Sequence, residues 1–380
     1  MKTFDVNAHL HTPYSFSAFD GVCQALDMAA EEGVKVVGIN DFYSMDGYRE
    51  WSEECGKRHL FPLFNIEFIS LNVEDQAAGV RVNDPNNPGR TYLSGKGLAY
   101  PVILKGKEAE QLAAVKAESN AQVEAMCQKL NAHLDTVKAG FNISFAEVRD
   151  TLTRGSIRER HLAKALRLAV DARSGCDNCK RTLYEQIFGK PLKSDPANAA
   201  AVENEIRGNL LKAGGAAFVP EDPKAFLPME TVQRIIEAAG GIPTYPFLAD
   251  DAKGCFTDFE GDLMKAADTL KKRGFRSVEF ITTRNTSAVL ERYAGYLEDE
   301  GFTVTFGSEH NTPTLEQIKL RTRDAADLSD RLKEINYRGA CTVAAHQKHP
   351  KNQQIFGGPA DRALSIEEGD EIITKTVTAQ

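Results

Sequence analysis

The 380-residue chain has no apolar run long enough to span a bilayer, and Met1-Lys2-Thr3-Phe4-Asp5-Val6 opens it without a stretch of signal-peptide length. A cytoplasmic protein with no membrane partner is expected. It has no block of like charge either. The net charge of -8 is spread along the chain, so no nucleic-acid partner beyond a nucleotide or short oligonucleotide is expected. Cysteine is sparse: the seven residues, at 23, 55, 127, 176, 179, 255 and 341, are odd in number and scattered, which argues against a disulfide framework. Only Cys176-Asp-Asn-Cys179 has ligand-like spacing, and no second Cys/His pair lies near it. A turn in a helical insertion is the favoured reading, ahead of a redox or metal role.

What is present is an α/β rhythm. Thr3–His9, Val34–Asp41 and Leu60–Phe68 read as strands, separated by helices over Val22–Glu32 and Tyr48–Arg58. The rhythm breaks at the loop Asn83–Gly89, and a long polar-faced helix follows over Lys107–Lys138. It resumes with strands at Ile242–Phe247, Ser277–Thr283, Phe302–Phe306 and Ala340–Ala345 and helices between them. Seven such units predict a distorted (β/α)7 TIM-like barrel over 1–88 and 216–350, a helical insertion over 89–215 and a polar tail over 351–380.

Barrels of this kind place their chemistry at the C-terminal strand ends. Collected there are His9 and His11 from NAHLHT, Asp41, Glu67, Tyr245, Arg284 and the triplet Glu309-His310-Asn311. Two imidazoles and two carboxylates arriving from three strands make a plausible shell for one divalent ion such as zinc, manganese or iron.

The order HLHT, GIND, NIEF and TVTFGSEH resembles the PHP (polymerase and histidinol phosphatase) family of metal-dependent phosphoesterases. The stretches FNISFAEVRDTLTRGSIRERHLAKAL and GGAAFVPEDPKAFLPMETVQRIIEAAGGIPTYP are similar to the nucleotide and oligonucleotide branch of that family. The resemblance implies a distorted seven-stranded barrel with a helical insertion and a cluster of up to three metals. Several ligand positions are replaced: Phe16, Phe42, Tyr245 and Asn311 stand where the family has Asp or His. The retained His9, His11, Glu67 and Glu309 correspond to the first metal, so the resemblance implies a mononuclear site. Phenylalanine cannot ligate a cation and makes its place costly to occupy.

The leading expectation is therefore a metal-dependent hydrolase of a small anionic substrate, with a phosphoester first. His310 or Asp41 would handle the proton, Asp41 alternatively orienting a ligand histidine. Arg158, Arg160, Lys164 and Arg284 would supply charge for the anion, with His161 either a substrate contact or part of a helix N-terminus. Tyr245 would donate to an oxyanion or fill a vacated ligand position. His310 has the alternative of packing outside the barrel, and His346 and His349 are read as turn chemistry. Two competing readings stand beside this one: a mononuclear isomerase or lyase acting on a sugar or sugar acid with a tyrosine in the cleft, and a non-catalytic PHP-like domain that binds a ligand or partner. Oligomeric state is left open.

Overall fold

The computed structural model describes residues 3–350 and 358–379; the rest of the tail expected over 351–380 lies outside them. The strands are β1 (Asp5–Leu10), β2 (Val34–Phe42), β3 (Phe61–Leu71), β4 (Arg90–Lys96), the two-residue β5 (Leu227–Pro228), β6 (Ile242–Phe247), β7 (Ser277–Ile281) and β8 (Thr303–Gly307). The α-helices are α1 (Val22–Glu31), α2 (Tyr48–Lys57), α3 (Val73–Ala77), α4 (Gly106–Thr136), α5 (Phe145–Leu152), α6 (Glu159–Arg173), α7 (Asp177–Phe188), α8 (Ala199–Ile206), α9 (Met229–Ala238), α10 (Leu263–Lys272), α11 (Ser287–Asp299), α12 (Asp330–Lys348) and α13 (Pro359–Val377). No described helix is long and apolar enough to cross a membrane.

Seven strands make a nearly closed barrel in the order β1-β2-β3-β4-β6-β7-β8, with β5 pairing only to β3. β4 runs antiparallel to both neighbours and the other barrel strands are parallel. β8 and β1 are joined just beyond the end of β8: Glu309 N donates to His9 O at 3.0 Å and His11 N to Glu309 O at 2.8 Å, and the Asn7 amide on β1 donates to Ser308 Oγ at 2.6 Å.

The strand count is as expected, but one member differs. Ala340–Ala345 is not a strand; it lies inside α12. That helix is buried along most of its length, packed on the barrel on one side and on α13 on the other, so its apolar residues show no amphipathic period. Its place in the barrel is taken by Arg90–Lys96, which the sequence reading put in the insertion. This strand looks polar because Ser94 and Lys96 face a polar interior.

α12 closes the N-terminal end of the barrel. Asn336 donates to Val6 O at 3.0 Å and accepts from Phe306 N at 2.8 Å, while Gln347 bonds Pro62 O and Phe64 N on β3. Gly339 permits the approach, since a Cβ there would lie 1.9 Å from Val304 O. One apolar cluster fills this end, a larger one lies between the barrel and its outer helices, and a third, built from α4 to α8, belongs to the insertion.

Higher in the barrel the interior is polar. Lys96 on β4 lies 2.6 Å from Glu279 on β7 and donates to Ala8 O on β1, and Asn40 on β2 reaches Ser94 on β4. None of these strands are neighbours, so the contacts run through the barrel centre, where Asn40 and Glu279 also touch His9.

Candidate metal centre and cavity

β1 and the turn after it bring His9 and His11 to one point, and β3 brings Glu67 to the same point. Their Nε2, Nε2 and carboxylate oxygen all lie within 4.8 Å of one another, and the three residues are buried. The two Nε2 atoms are 3.3 Å apart, and Glu67 Oε2 is 3.1 Å from His11 Nε2 and 3.9 Å from His9 Nε2. Gly307 on β8 is needed here, because a Cβ at that position would lie 2.2 Å from His9 Cβ.

Neighbouring groups orient both rings. His9 Nδ1 is 3.0 Å from Glu279 Oε2, which accepts its proton and leaves the Nε2 lone pair facing the centre. Asn40 Nδ2, a donor, sits 2.9 Å from that lone pair. Ser15 gives its hydroxyl proton to Asp41 at 2.6 Å and therefore accepts from His11 Nδ1 at 3.2 Å, so His11 Nε2 also presents a lone pair. Glu67 Oε2 is buried without a hydrogen-bond donor. Three acceptors thus converge, which is the donor set a divalent cation satisfies. Without one, a proton does so: burial alone would lower the His11 pKa, but the Glu67 carboxylate outweighs it and raises it.

Glu309, expected as a fourth ligand, does not join the trio. Its carboxylate is 2.5 Å from Arg284. Its backbone, at a left-handed φ of 70°, is committed to closing the barrel. The next residue, His310 at φ 59°, is turned away from the centre. Its Nδ1 bonds Ser308 Oγ at 2.9 Å, its Nε2 bonds Glu316 O at 3.0 Å, and its ring stacks on Phe19. Both nitrogens are spent, and burial holds the ring neutral. Asp41 is likewise occupied, accepting from Thr12 N at 2.8 Å and from the Thr12 and Ser15 hydroxyls at 2.5 and 2.6 Å. It orients His11 through Ser15. Tyr245 does not reach the cavity: its hydroxyl donates to buried Glu260 at 2.7 Å, in the packing around Phe259 and Phe275.

A cavity of about 400 Å³ lies between the strand ends and the insertion. Arg90, Arg158, Arg160, Arg207, Lys212 and Arg284 line it, against Asp84, Glu159 and Glu309, so a chain of net charge -8 carries a locally positive cleft. A narrower recess lined by His9, Glu67, Tyr92, Arg284 and Glu309 continues it to the trio. Glu159 sits 2.8 Å from Arg207 and 3.5 Å from Lys212. Burial opposes its ionisation, but these cations hold it well below the usual carboxylate range. Arg90 is committed to Glu221 at 2.5 Å.

Arg158 and Arg160 form no ion pair among the described residues. Arg158 lies 4.8 Å above the Phe42 ring and donates to Ser119; Arg160 lies 5.5 Å from the Phe16 ring centre and donates to Asn204. The two phenylalanines at replaced ligand positions are thus the platforms under two guanidinium groups. Phe42 also stacks on the His11 ring at 4.9 Å. His161 starts α6, its Nδ1 accepting from Arg158 N at 2.9 Å, and meets the edge of Phe16. Lys164 lines a different cavity, beyond Phe16. His346, read as turn chemistry, is instead buried in the last turn of α12 and donates to Gly240 O, while His349 stands exposed just past the helix and pairs with Glu368.

The sequence reading did not assign roles to Glu279, Lys96, Asn40 or Tyr92. Glu279 left one signal, a lone carboxylate in the apolar run SVEFI.

No family model matches the chain, and no curated protein matches it in sequence. Solved structures do resemble it. A Bifidobacterium adolescentis protein assigned as a metal-dependent phosphoesterase is 15% identical with a TM-score of 0.56, covering 87% of this chain and 94% of its own. An amidohydrolase from Chromobacterium violaceum, solved with bound sulfate and no metal, is 15% identical with a TM-score of 0.55, covering 87% and 96%. At this identity the likeness shows a shared fold and nothing further.

Proposed function

We propose that this chain is a PHP-like hydrolase that holds one divalent ion, zinc, manganese or iron, on His9, His11 and Glu67, and cleaves a small anionic substrate, a phosphoester first. The observation that carries the proposal is the juxtaposition of three converging acceptors with two guanidinium groups that lack carboxylate partners. The phosphoesterase and amidohydrolase neighbours support hydrolysis, and the sulfate in one of them supports a tetrahedral anion.

A bound ion would supply Lewis acidity towards a substrate oxygen. The chain's own residues do the rest. Arg158 and Arg160 bind and orient the anion from the insertion side, each stiffened by the ring beneath it. Arg284 fixes Glu309 and faces the anion from β7's end. Tyr92, on the wall shared by cavity and recess, bounds the path to the trio. In this reading positive charge that the resembling family draws from additional metals comes from arginine over phenylalanine. The isomerase or lyase alternative called for a tyrosine in the cleft; Tyr245 is spent on Glu260, and Tyr92 is the tyrosine on that wall.

The test is metal analysis of the purified protein beside a panel of phosphomonoesters and phosphodiesters. One ion per chain is expected, lost in His9→Ala, with ester hydrolysis, read as the alcohol released, falling about a hundredfold or more on loss of the ion. Two or three ions per chain overturn the mononuclear reading. A single ion with no turnover of any ester overturns the phosphoesterase.

A further inference from the structure

Of the seven cysteines, Cys55, Cys127 and Cys341 are buried and Cys23 and Cys255 stand singly at the surface. Cys176 and Cys179 alone come together, joined as a disulfide with Cα atoms 5.2 Å apart. Both are exposed, on the outside of the insertion. Cys176 is the residue before α7, and its sulfur accepts from the Cys179 amide at 3.2 Å.

Two structural roles fit this pair poorly. A cross-link three residues apart closes so short a loop that it restricts the unfolded chain little. The pair also contributes nothing to packing, since the buried side chains of α7 are Tyr184 and Ile187. A metal role fails as well: among the described residues, no third ligand joins the two sulfurs, and the only cluster of that kind is the His9, His11, Glu67 trio. What the position does favour is thiolate chemistry. The positive end of a helix, with its free first-turn amides, stabilises a thiolate over a thiol, and exposure gives a partner access.

We infer that Cys176 and Cys179 are a reversible redox couple that exchanges with small-molecule or protein thiols. A thiolate attacks the Cys176 sulfur, forming a mixed disulfide there and releasing Cys179 as the thiolate. A second thiol then attacks the outer sulfur of the mixed disulfide, releasing Cys176. Two external thiols are oxidised to one disulfide, and the protein disulfide takes up two electrons and two protons.

The full chain is equilibrated across glutathione buffers from fully reduced to fully oxidised, trapped by alkylation and mapped by peptide mass spectrometry. Cys176 and Cys179 are expected to pass together from doubly alkylated to cross-linked within the series and to return on adding a dithiol. In Cys176→Ser the cross-link is absent and Cys179 instead accumulates the glutathione adduct. Cys23 and Cys255 serve as internal references, and in the dithiol form Cys176 is alkylated roughly tenfold faster than Cys255 at neutral pH. A pair that stays cross-linked in excess reduced glutathione, or never cross-links in excess oxidised glutathione, overturns the inference; equal alkylation rates overturn Cys176 as the reactive sulfur.

Discussion

Lys96 is fully buried in the middle of a barrel, a position lysine occupies only when its charge is matched. Its partner Glu279 serves two masters, lying 2.6 Å from Lys96 and 3.0 Å from His9, and it also accepts from Ser94. Burial alone would raise the Glu279 pKa, but Lys96 and His9 hold it well below the usual carboxylate range. Replacing such a pair with apolar residues is often neutral, whereas removing one partner strands a buried charge at a cost of about 3–5 kcal/mol. Lys96→Met is therefore expected to lose about that much in urea unfolding of the metal-free protein, and the further loss from adding Glu279→Gln should be well short of additive. A Lys96→Met chain within 1 kcal/mol of wild type would show that the pair is not the prop described. Lys96 left no signal in the sequence, and Glu279 only a lone carboxylate in the apolar run SVEFI. The histidines and Glu67 sit in patterned motifs at strand ends, while Lys96 and Glu279 face the barrel centre from segments whose local sequence carries no such pattern.

At the scale of single elements, the start of α6 converts one buried histidine into a pH dependence. His161 accepts the Arg158 amide through Nδ1, which requires the neutral ring, and burial lowers its pKa to about 3. The unfolded chain binds a proton near pH 6.5 that the folded chain refuses, so stability rises with pH between about 3 and 6.5 and is lost on acidification through that window. From pH 6.5 to pH 5 the loss from this residue is about 1.6 kcal/mol. His346, lowered to about 4 by burial, acts in the same direction. His161→Gln is expected to flatten the acid limb of a stability profile measured by denaturant unfolding at several pH values; an unchanged limb would exclude His161 as its source. The same element shows how far the sequence could be read. Either role for His161 was compatible with its place after Ser156-Ile-Arg-Glu-Arg; in the structure its ring accepts locally from the Arg158 amide and meets Phe16 across the fold. β4 and α12 were exchanged for a related reason: a strand facing a polar interior loses its apolar alternation, and a helix buried nearly all round loses its polar face.

Across the whole molecule, the trio belongs to the barrel and the guanidinium groups to the insertion, whose helices keep an apolar cluster of their own. Cation and anion should therefore tighten different parts of one protein. Metal bound to the folded chain alone stabilises it by RT ln(1 + [L]/Kd), about 2.7 kcal/mol at a hundredfold excess over Kd. That gain acts where the ligands are rooted, in β1 and β3 and in the turn Leu10–Ser15 between His9 and Asp41's contacts. Inorganic phosphate, held between the barrel end and Arg158 and Arg160, should instead add protection across the start of α6 and the stretch of α4 around Ser119. Hydrogen exchange separates the two. Zinc or manganese alone is expected to slow exchange in β1 and β3 and leave α7 and α8 unchanged, and phosphate added on top is expected to slow α4 and α6. Arg158→Met should abolish the second effect and preserve the first. Protection by phosphate that survives Arg158→Met and Arg160→Met together would place the anion elsewhere and remove the insertion from the reading of this site.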